Sequence, residues 1–175
     1  MEWILWLVLG VILVFGIVVV RGAPYVPSHH KYARKSLTKL YPLSQKDTLV
    51  DLGAGDGIIL RIAAEKGARA IGYELNPFLV GIARVLSWGN SRVSVKAADY
   101  WLIKLPRETT IVYIFAVSRD TAKLETKAQQ WTNKLGHELY LMMYGSKLPN
   151  MQPVKVLDAH SLYRFTPEAL QRRQA

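Results

Sequence analysis

The sequence contains no cysteine. This absence excludes disulfide scaffolds, thiolate zinc sites, iron–sulfur chemistry and every mechanism that uses a cysteine nucleophile. Acidic residues are also few, with 13 Asp and Glu against 23 Lys and Arg, for a net charge of +10. Such a balance suits an anionic partner, either nucleic acid or acidic lipid headgroups. Because half of the 175 residues are apolar and 21% are charged, global disorder is excluded.

Charged residues are almost absent from the first 20 positions, which hold only Glu2. Trp3 to Val20 is an uninterrupted apolar run of 18 residues, about 27 Å long as a helix. This length is sufficient to cross the hydrocarbon core of a bilayer. A cleaved signal peptide would have basic residues before a shorter apolar run and a small-residue cleavage site after it. The run therefore predicts an N-terminal transmembrane anchor over residues 1–21.

Basic residues follow this run, beginning with Arg21, and none precede it. By the positive-inside rule, the remainder of the chain then lies on the cytoplasmic side of the membrane. Residues 22–46 are expected to form a proline-containing linker and a short helix, which Ser28 caps and Pro42 ends. Residues 47–175 are expected to form one domain.

Short apolar segments alternate with helical patterns through the first half of this domain. The patterns predict strands at 48–52, 69–74, 92–97 and 109–115, with helices at 57–66 and 77–88. This alternation favours a parallel α/β sheet with helices on both faces. The second half is expected to contain a surface helix at 119–135, a strand at 137–144, and an antiparallel pair at 153–157 and 162–165.

A glycine-rich turn follows the first predicted strand, in the sequence Asp51-Leu-Gly53-Ala-Gly55-Asp-Gly57. Glycines let the backbone approach a ligand closely, and the amino end of the next helix presents free N–H groups and a positive dipole. Glu74 ends the second strand, where a carboxylate can accept both hydroxyl groups of a ribose. Together these features predict a nucleotide-like ligand, although Glu74 taken alone could equally be a solvated carboxylate at a strand end.

The glycine spacing discriminates between two nucleotide classes. A dinucleotide fingerprint, G-x-G-x-x-G/A, requires a small residue at position 58, where this chain has Ile58. The G-x-G-x-G form instead resembles motif I of the seven-strand, S-adenosylmethionine-dependent methyltransferases. That resemblance implies a Rossmann-like, seven-stranded class I methyltransferase sheet with helices on both faces, and S-adenosylmethionine as the cofactor.

The resemblance also implies which residues bind the cofactor. Asp51 and the loop through Gly57 would face its methionyl part, Glu74 its ribose, and Asp99, just beyond the third strand, its adenine amino group. The full set implied for the cofactor site is Asp51, Gly53, Ala54, Gly55, Asp56, Gly57, Glu74, Leu75, Asn76, Asp99 and Tyr100.

Three further motifs narrow the resemblance to a family: GYELNPFLV at 72–80, ADYW at 98–101, and a Pro-Tyr-Val-Pro-Ser segment at 24–28. Together with the N-terminal apolar run, they resemble the membrane-anchored protein lysine methyltransferases that modify the ATP synthase c-subunit and the adenine nucleotide translocase, and their prokaryotic relatives. The resemblance implies methyl transfer to a lysine of a membrane-associated protein. This chain has Ala116-Val117-Ser118 after the fourth strand, where the family tends to have Gly-Val-Pro, on the substrate side.

A lysine nucleophile must be neutral when it attacks, and desolvation beside aromatic side chains lowers its pKa. Aromatic faces also hold the ammonium product by cation–π attraction. Taken singly, each aromatic residue is more typical of ordinary packing, and the catalytic residues stay unassigned. The candidates for the substrate pocket are Tyr25, Pro27, Tyr100, Trp101 and Ser118.

Three other functions stay open at this point. The basic charge favours a nucleic-acid methyltransferase, but the Asn/Asp-Pro-Pro-Tyr/Phe loop of base-amine methylation is absent after the fourth strand, which makes nucleic acid the weaker expectation. The anchor also suits a lipid or quinone methyltransferase, because it would hold the pocket at the bilayer surface. A non-catalytic, membrane-tethered binding module is the third. The four histidines show no ligand spacing, so no metal is expected.

Overall fold

The computed structural model describes residues 2–6, 8–10 and 30–171. Residues 2–6 and 8–10 are helical. Most of the predicted anchor at 1–21 and the start of the predicted linker, including Tyr25, Pro27 and the predicted cap Ser28, lie outside the described residues. Within the described ranges, no helix combines the length and the apolar composition that crossing a membrane requires.

Seven strands and five α-helices follow one another in the part of the chain described from residue 30 to residue 171. The strands are β1 (Thr48–Leu52), β2 (Arg69–Glu74), β3 (Val93–Ala97), β4 (Ile111–Ala116), β5 (Leu139–Gly145), β6 (Lys155–Leu157) and β7 (His160–Phe165). The helices are α1 (His30–Lys39), α2 (Ile58–Glu65), α3 (Pro77–Leu86), α4 (Thr121–Leu135) and α5 (Glu168–Gln171), with a 3₁₀ turn at Ser118–Asp120 before α4.

The strands form one sheet in the order β3-β2-β1-β4-β5-β7-β6. The first five strands are mutually parallel, whereas β7 runs antiparallel between β5 and β6. From β1, the chain adds β2 and β3 on one side and β4 and β5 on the other. Ligands of open α/β sheets bind at the carboxyl ends of the strands at this reversal, so the topology places the site beyond β1.

Helices cover both faces of the sheet, as the alternating pattern predicted. On one face, Leu37 of α1, Leu60 of α2 and Val80 of α3 pack in one buried cluster with strand residues. On the other, Leu124 and Trp131 of α4 anchor a second buried cluster. The central strand β1 is buried along its whole length. Its sequence is therefore mostly apolar and does not alternate between apolar and polar residues.

The strands and helices predicted between residues 30 and 171 are all present, and their boundaries differ by a few residues for local reasons. The second helix begins at Ile58 rather than at 57 because Gly57 is its N-cap, in the left-handed conformation. The fourth strand begins at Ile111 because the backbone N–H of Thr109 donates to the carbonyl of Pro106, which forms a turn. The surface helix begins at Thr121, two residues late, because the 3₁₀ turn precedes it.

Candidate cofactor and substrate site

The glycine loop after β1 has the backbone geometry that its sequence predicts. Gly53, Gly55 and Gly57 have φ angles of +80°, +54° and +79°, a region that residues with a Cβ rarely adopt. The N–H groups of Gly53 and Ala54 both donate to the carbonyl of Tyr73, at 2.8 and 3.1 Å. The loop is therefore fastened to the end of β2 and is shaped before any ligand binds.

Gly72 of β2 is a site residue that the sequence analysis did not assign. A Cβ at this position would lie 2.6 Å from Cδ1 of Leu60 and 2.7 Å from Cβ of Ala54. Only glycine therefore lets the glycine loop and helix α2 pack directly onto the second strand. Its presence beside Tyr73 and Glu74 in the sequence was the available signal, since a glycine inside a strand often marks a close backbone approach.

Glu74, predicted to contact the ribose, is 7% exposed at the carboxyl end of β2. One carboxylate oxygen accepts the N–H of Gly55 at 2.9 Å, and the other accepts the N–H of Asn76 at 2.8 Å. This carboxylate therefore joins the glycine loop to the start of α3. Each oxygen keeps a second lone pair, so the side chain can still accept hydrogen bonds from a ligand while its orientation is fixed.

Asp51 differs from Glu74 in its surroundings. Its side chain is 3% exposed, and no residue that the structure describes donates a hydrogen bond to its carboxylate. Burial raises the pKa of Asp51 well above its usual value, and the neighbouring Glu74 and Asp56 add to the rise. A buried carboxylate with two anionic neighbours and no donor is a favourable place for a cationic group of a ligand, which would stabilise the ionised form.

Three other predicted cofactor residues lie close to the loop, and two of them have structural roles. Asp56 accepts the N–H of Ile58 at 3.1 Å and forms an ion pair with Arg61, which braces the first turn of α2. The buried side chain of Asn76 caps α3 by accepting the N–H of Phe78 at 3.0 Å. Leu75, half-buried, lies between Glu74 and this cap.

The segment after β3 brings Asp99, Tyr100 and Trp101 to the same edge of the sheet. The N–H of Ala98 donates to the carbonyl of Glu74 at 2.9 Å, which ties this segment to the glycine-loop side of the site. One oxygen of Asp99 accepts the N–H of Trp101 at 2.9 Å. The second oxygen has no protein donor among the residues that the structure describes.

Tyr100 and Trp101 form an aromatic surface, with ring centroids 4.9 Å apart. Burial, followed by the nearby carboxylates of Asp120 and Asp99, raises the pKa of Tyr100 to about 12. The ammonium nitrogen of Lys123, in the first turn of α4, lies 3.9 Å from the centroid of the Trp101 ring. This surface therefore already holds a lysine ammonium group, which the sequence analysis did not anticipate.

Ser118 lies just beyond β4, at the start of the 3₁₀ turn, and is exposed. Its carbonyl accepts the hydroxyl of Thr121 at 2.9 Å, which orients the first turn of α4. The structure thus brings together most of the predicted site at one edge: the glycine loop, Glu74, the Asp99 segment and Ser118. Tyr25 and Pro27, the other substrate-pocket candidates, lie outside the described residues.

Comparison with curated proteins identifies lysine methyltransferases as relatives, whereas no protein-family model matches the chain. The ATP synthase c-subunit lysine N-methyltransferase of Xenopus laevis is 36% identical over 109 residues, which are 61% of this chain and 47% of that protein. The adenine nucleotide translocase lysine N-methyltransferase of Mus musculus is 35% identical over 138 residues, 77% of this chain and 58% of that protein. A protein-lysine N-methyltransferase of Saccharolobus islandicus is 28% identical over 154 residues, 81% and 92% of the two chains.

These matches confirm the resemblance that the sequence motifs predicted. The chain spans about half the length of the ATP synthase c-subunit methyltransferases that it matches. The archaeal relative, in contrast, is matched along almost its entire length.

Comparison with solved structures confirms the class I methyltransferase fold. An RNA methyltransferase from Salinibacter ruber, solved in complex with S-adenosylhomocysteine, superposes with a TM-score of 0.71 at 26% identity. The match covers 82% of this chain and 95% of that chain.

Proposed function

We propose that the chain is an S-adenosylmethionine-dependent methyltransferase that transfers a methyl group to a lysine side chain of a membrane-associated protein. One observation carries the cofactor assignment. At the carboxyl end of β1, the loop of left-handed glycines, the fixed carboxylate of Glu74 and the donor-free carboxylate of Asp51 lie together. Lysine is proposed as the methyl acceptor because the relatives of this chain include lysine methyltransferases.

The residues of this edge fit the chemical groups of S-adenosylmethionine. Asp51, buried and without a donor, would hold the methionyl ammonium group, and Glu74 would accept the ribose hydroxyls through its remaining lone pairs. The second oxygen of Asp99 would accept the adenine amino group. When bound, the cofactor supplies a methyl group on a sulfonium sulfur, which is activated for displacement.

The chain's own contribution to transfer is to desolvate and align the lysine. In-line displacement requires close contact in a site that excludes water more than it requires a strong base. Tyr100 and Trp101 offer an aromatic surface that would lower the pKa of an incoming amine by desolvation and bind the ammonium product. The position of Lys123 over Trp101 supports this role, because it places a lysine ammonium group against the face of that ring.

The membrane location is a second part of the proposal. Residues 1–21 would form a single transmembrane anchor, with the methyltransferase domain on the cytoplasmic side, supported by the apolar run and by the basic residues that follow it. The net charge of +10 would favour contact with anionic headgroups. Confining enzyme and substrate to one surface would raise their effective concentration.

Calorimetric titration and methyl labelling test this function together. S-adenosylmethionine, and NAD separately, are titrated into the full chain in detergent or nanodiscs, and methyl-labelled cofactor is then supplied with a native membrane fraction. We expect micromolar binding of S-adenosylmethionine alone, with the label recovered as methyl-lysine after digestion to amino acids. Label in the lipid extract would instead indicate a lipid or quinone methyltransferase, and no binding of either cofactor would support the binding module.

One alternative function has a specific observation in its favour. The Salinibacter ruber structure is that of an RNA methyltransferase, and this chain has a net charge of +10. The same labelling reaction with total RNA in place of the membrane fraction separates the two. Label in nuclease-sensitive material, with none in methyl-lysine, would overturn the lysine proposal while leaving the cofactor assignment intact.

A further inference from the structure

Helix α3 has an outward surface that is apolar and exposed. Ile82, Val85 and Leu86 are 47%, 67% and 52% exposed, and Trp88, just beyond the helix, is 88% exposed. Spacings of three and four residues place the first three on one side of the helix. We call Ile82, Val85, Leu86 and Trp88 the α3 apolar face.

The α3 apolar face is not needed to hold the helix in place. The opposite side of α3 is already buried through Val80 and Ala83, which pack against the sheet. Asn76 and Pro77 fix the first turn of the helix. A contiguous apolar surface that the fold itself does not use marks an interaction site.

The charged residues in this part of the chain are all basic. The stretch from 77 to 98, which contains α3 and the edge strand β3, holds Arg84, Arg92 and Lys96 and no acidic residue. All three basic side chains are exposed. Arg84 donates two hydrogen bonds to the carbonyl of Val95, and Arg92 donates one to the carbonyl of Gly67. These hydrogen bonds hold the two arginine side chains in place. The ammonium of Lys96, in contrast, lies 5.9 Å from the ring centroid of Tyr73, which belongs to the buried cluster on the α4 side of the sheet.

We propose that this side of the molecule docks on an anionic lipid bilayer, with the α3 apolar face immersed at the level of the headgroups and upper acyl chains. Arg84 and Arg92 would then lie against the phosphates. An exposed apolar surface with a terminal Trp and arginines in the same chain segment is the composition of interfacial membrane-binding helices. An apolar surface whose own chain segment carries arginines and no acidic residue complements a lipid interface better than it complements a protein of mixed charge.

Docking through α3 would also position the candidate site. The helix begins at Pro77, three residues after Glu74, and a ten-residue helix spans about 15 Å. The carboxyl edge of the sheet would thus be held within one helix length of the headgroups. A lysine that projects from a membrane protein at the bilayer surface could then reach the site. The docking itself does not depend on methyl transfer.

Site-directed spin labelling tests the docking on the full chain, because the chain has no cysteine of its own. A nitroxide is attached at Val85→Cys and, as a matched control, at Gln130→Cys, an exposed position on α4 across the sheet. Both variants are reconstituted into phosphatidylcholine vesicles with or without phosphatidylglycerol. Collisions with oxygen, which concentrates in the bilayer, and with a water-soluble nickel chelate are then measured.

With phosphatidylglycerol present, we expect the label at 85 to gain oxygen collisions and lose nickel collisions several-fold, while the label at 130 stays in water. Loss of both kinds of collision would mean that protein covers the face, either a second copy or another segment of this chain, and would overturn the proposal. So would a label at 85 that stays in water. Equal immersion without phosphatidylglycerol would overturn the contact between the basic residues and the headgroups.

A second variant separates docking from cofactor binding. Ile82→Glu in the Val85→Cys background places a charge on the α3 apolar face, and we expect it to return the label at 85 to water. Calorimetric affinity for S-adenosylmethionine should be unchanged, because the outward side of α3 is not part of the cofactor site. If the label at 85 stays immersed in this variant, docking through the α3 apolar face is contradicted. If the unmodified chain does not bind S-adenosylmethionine, only the proposed function is contradicted.

Discussion

Two carboxylates at the candidate site, Asp51 and Glu74, have different surroundings and are therefore suited to different ligand groups. Glu74 accepts two backbone N–H groups from the loop and from the start of α3, so its orientation is already fixed in the free protein. Asp51 is buried beside Glu74, and its pKa is raised. Glu74 is thus a preorganised acceptor, whereas Asp51 gains its stabilisation only when a cation binds.

Glu74→Ala should weaken the binding of S-adenosylmethionine by about 1.5 to 3 kcal/mol, the range of a charge-assisted hydrogen bond. The reason is the loss of both the ligand contact and the two backbone bonds that shape the loop. Calorimetry on the variant measures this directly. Glu138→Ala, an exposed carboxylate at the amino end of β5, serves as the control and should bind normally. An unchanged dissociation constant for Glu74→Ala would remove this residue from the site.

Asp51 makes cofactor affinity depend on pH. In the free protein its pKa is raised by burial and by Glu74 and Asp56, and a bound ammonium group would lower it. The protein should therefore release a proton on binding at acidic pH, and affinity should rise with pH until Asp51 is ionised in the free state. Calorimetric titration of S-adenosylmethionine in buffers of different ionisation enthalpy measures how many protons are released on binding. Asp51→Asn should bind weakly and lose the proton release, and proton release that persists would assign it to another group.

His160, on β7 and away from the candidate site, makes the stability of the fold depend on pH. Its ring is 2% exposed and lies 3.0 Å from the hydroxyl of Tyr113. Burial lowers its pKa to about 4, although Asp158 opposes the effect. Because an unfolded histidine titrates near 6.5, the associated stability is complete above about pH 6.5 and is lost as the pH falls toward 4.

Urea unfolding measures this effect as a difference between two pH values. We expect the free energy of unfolding to be about 2 kcal/mol lower at pH 5 than at pH 7 through His160 alone. His160→Gln keeps a polar group beside Tyr113 and removes the titration, so its difference should be smaller by that amount. Equal differences in both proteins would mean that the ring can be protonated without leaving its site.

At the scale of elements, the strands around the site were the most predictable part of the fold. The first two strands, Thr48–Leu52 and Arg69–Glu74, have the predicted bounds, because each is an apolar run that ends at a turn or a cap. The cap of α3 was also predicted from Asn76-Pro77, since its hydrogen bond is local. Features governed by neighbours within a few residues can be deduced from the sequence.

Features that depend on distant contacts could not be deduced. The partner of Glu74 on the loop, Gly55, is 19 residues away, so the sequence predicted a ligand contact without the bond that orients it. The placement of Lys123 on Trp101 depends on how α4 lies against the segment after β3. The exposure of the α3 apolar face was equally hidden, because an apolar helix is expected to be buried.

Gly72→Ala tests the close packing of α2 and the glycine loop on β2. The added Cβ would overlap Leu60 and Ala54, and we expect the free energy of unfolding to fall by about 1 to 3 kcal/mol. Cofactor affinity should fall as well, because Ala54 belongs to the loop. Gly81→Ala is the matched control, since nothing lies within 4 Å of the added atom in α3. Gly81→Ala should stabilise the protein by about 1 kcal/mol. If both variants change the free energy of unfolding equally, the packing around Gly72 is not tight.

At the scale of the whole molecule, the two proposals would give the cofactor edge, the α3 apolar face and the N-terminal apolar run a joint role at the membrane. A single anchor would hold the domain near the membrane but leave it free to rotate. Docking through α3 would add the orientation, and two linked contacts bind a surface far more strongly than either alone. Attachment and orientation should therefore be separable by experiment.

Deletion of residues 1–21, alone and combined with Ile82→Glu, separates them. The deletion alone should reduce but retain binding to anionic vesicles through α3, whereas the combined variant should lose it. Ile82→Glu alone should stay attached, because the proposed anchor at 1–21 is kept, but should methylate membrane-embedded lysines more slowly through lost orientation. Vesicle sedimentation and labelled-methyl transfer measure the two quantities, with cofactor affinity and thermal unfolding as controls for folding. Undiminished methylation of membrane-embedded lysines by the folded deletion variant would mean that the anchor has no part in substrate selection.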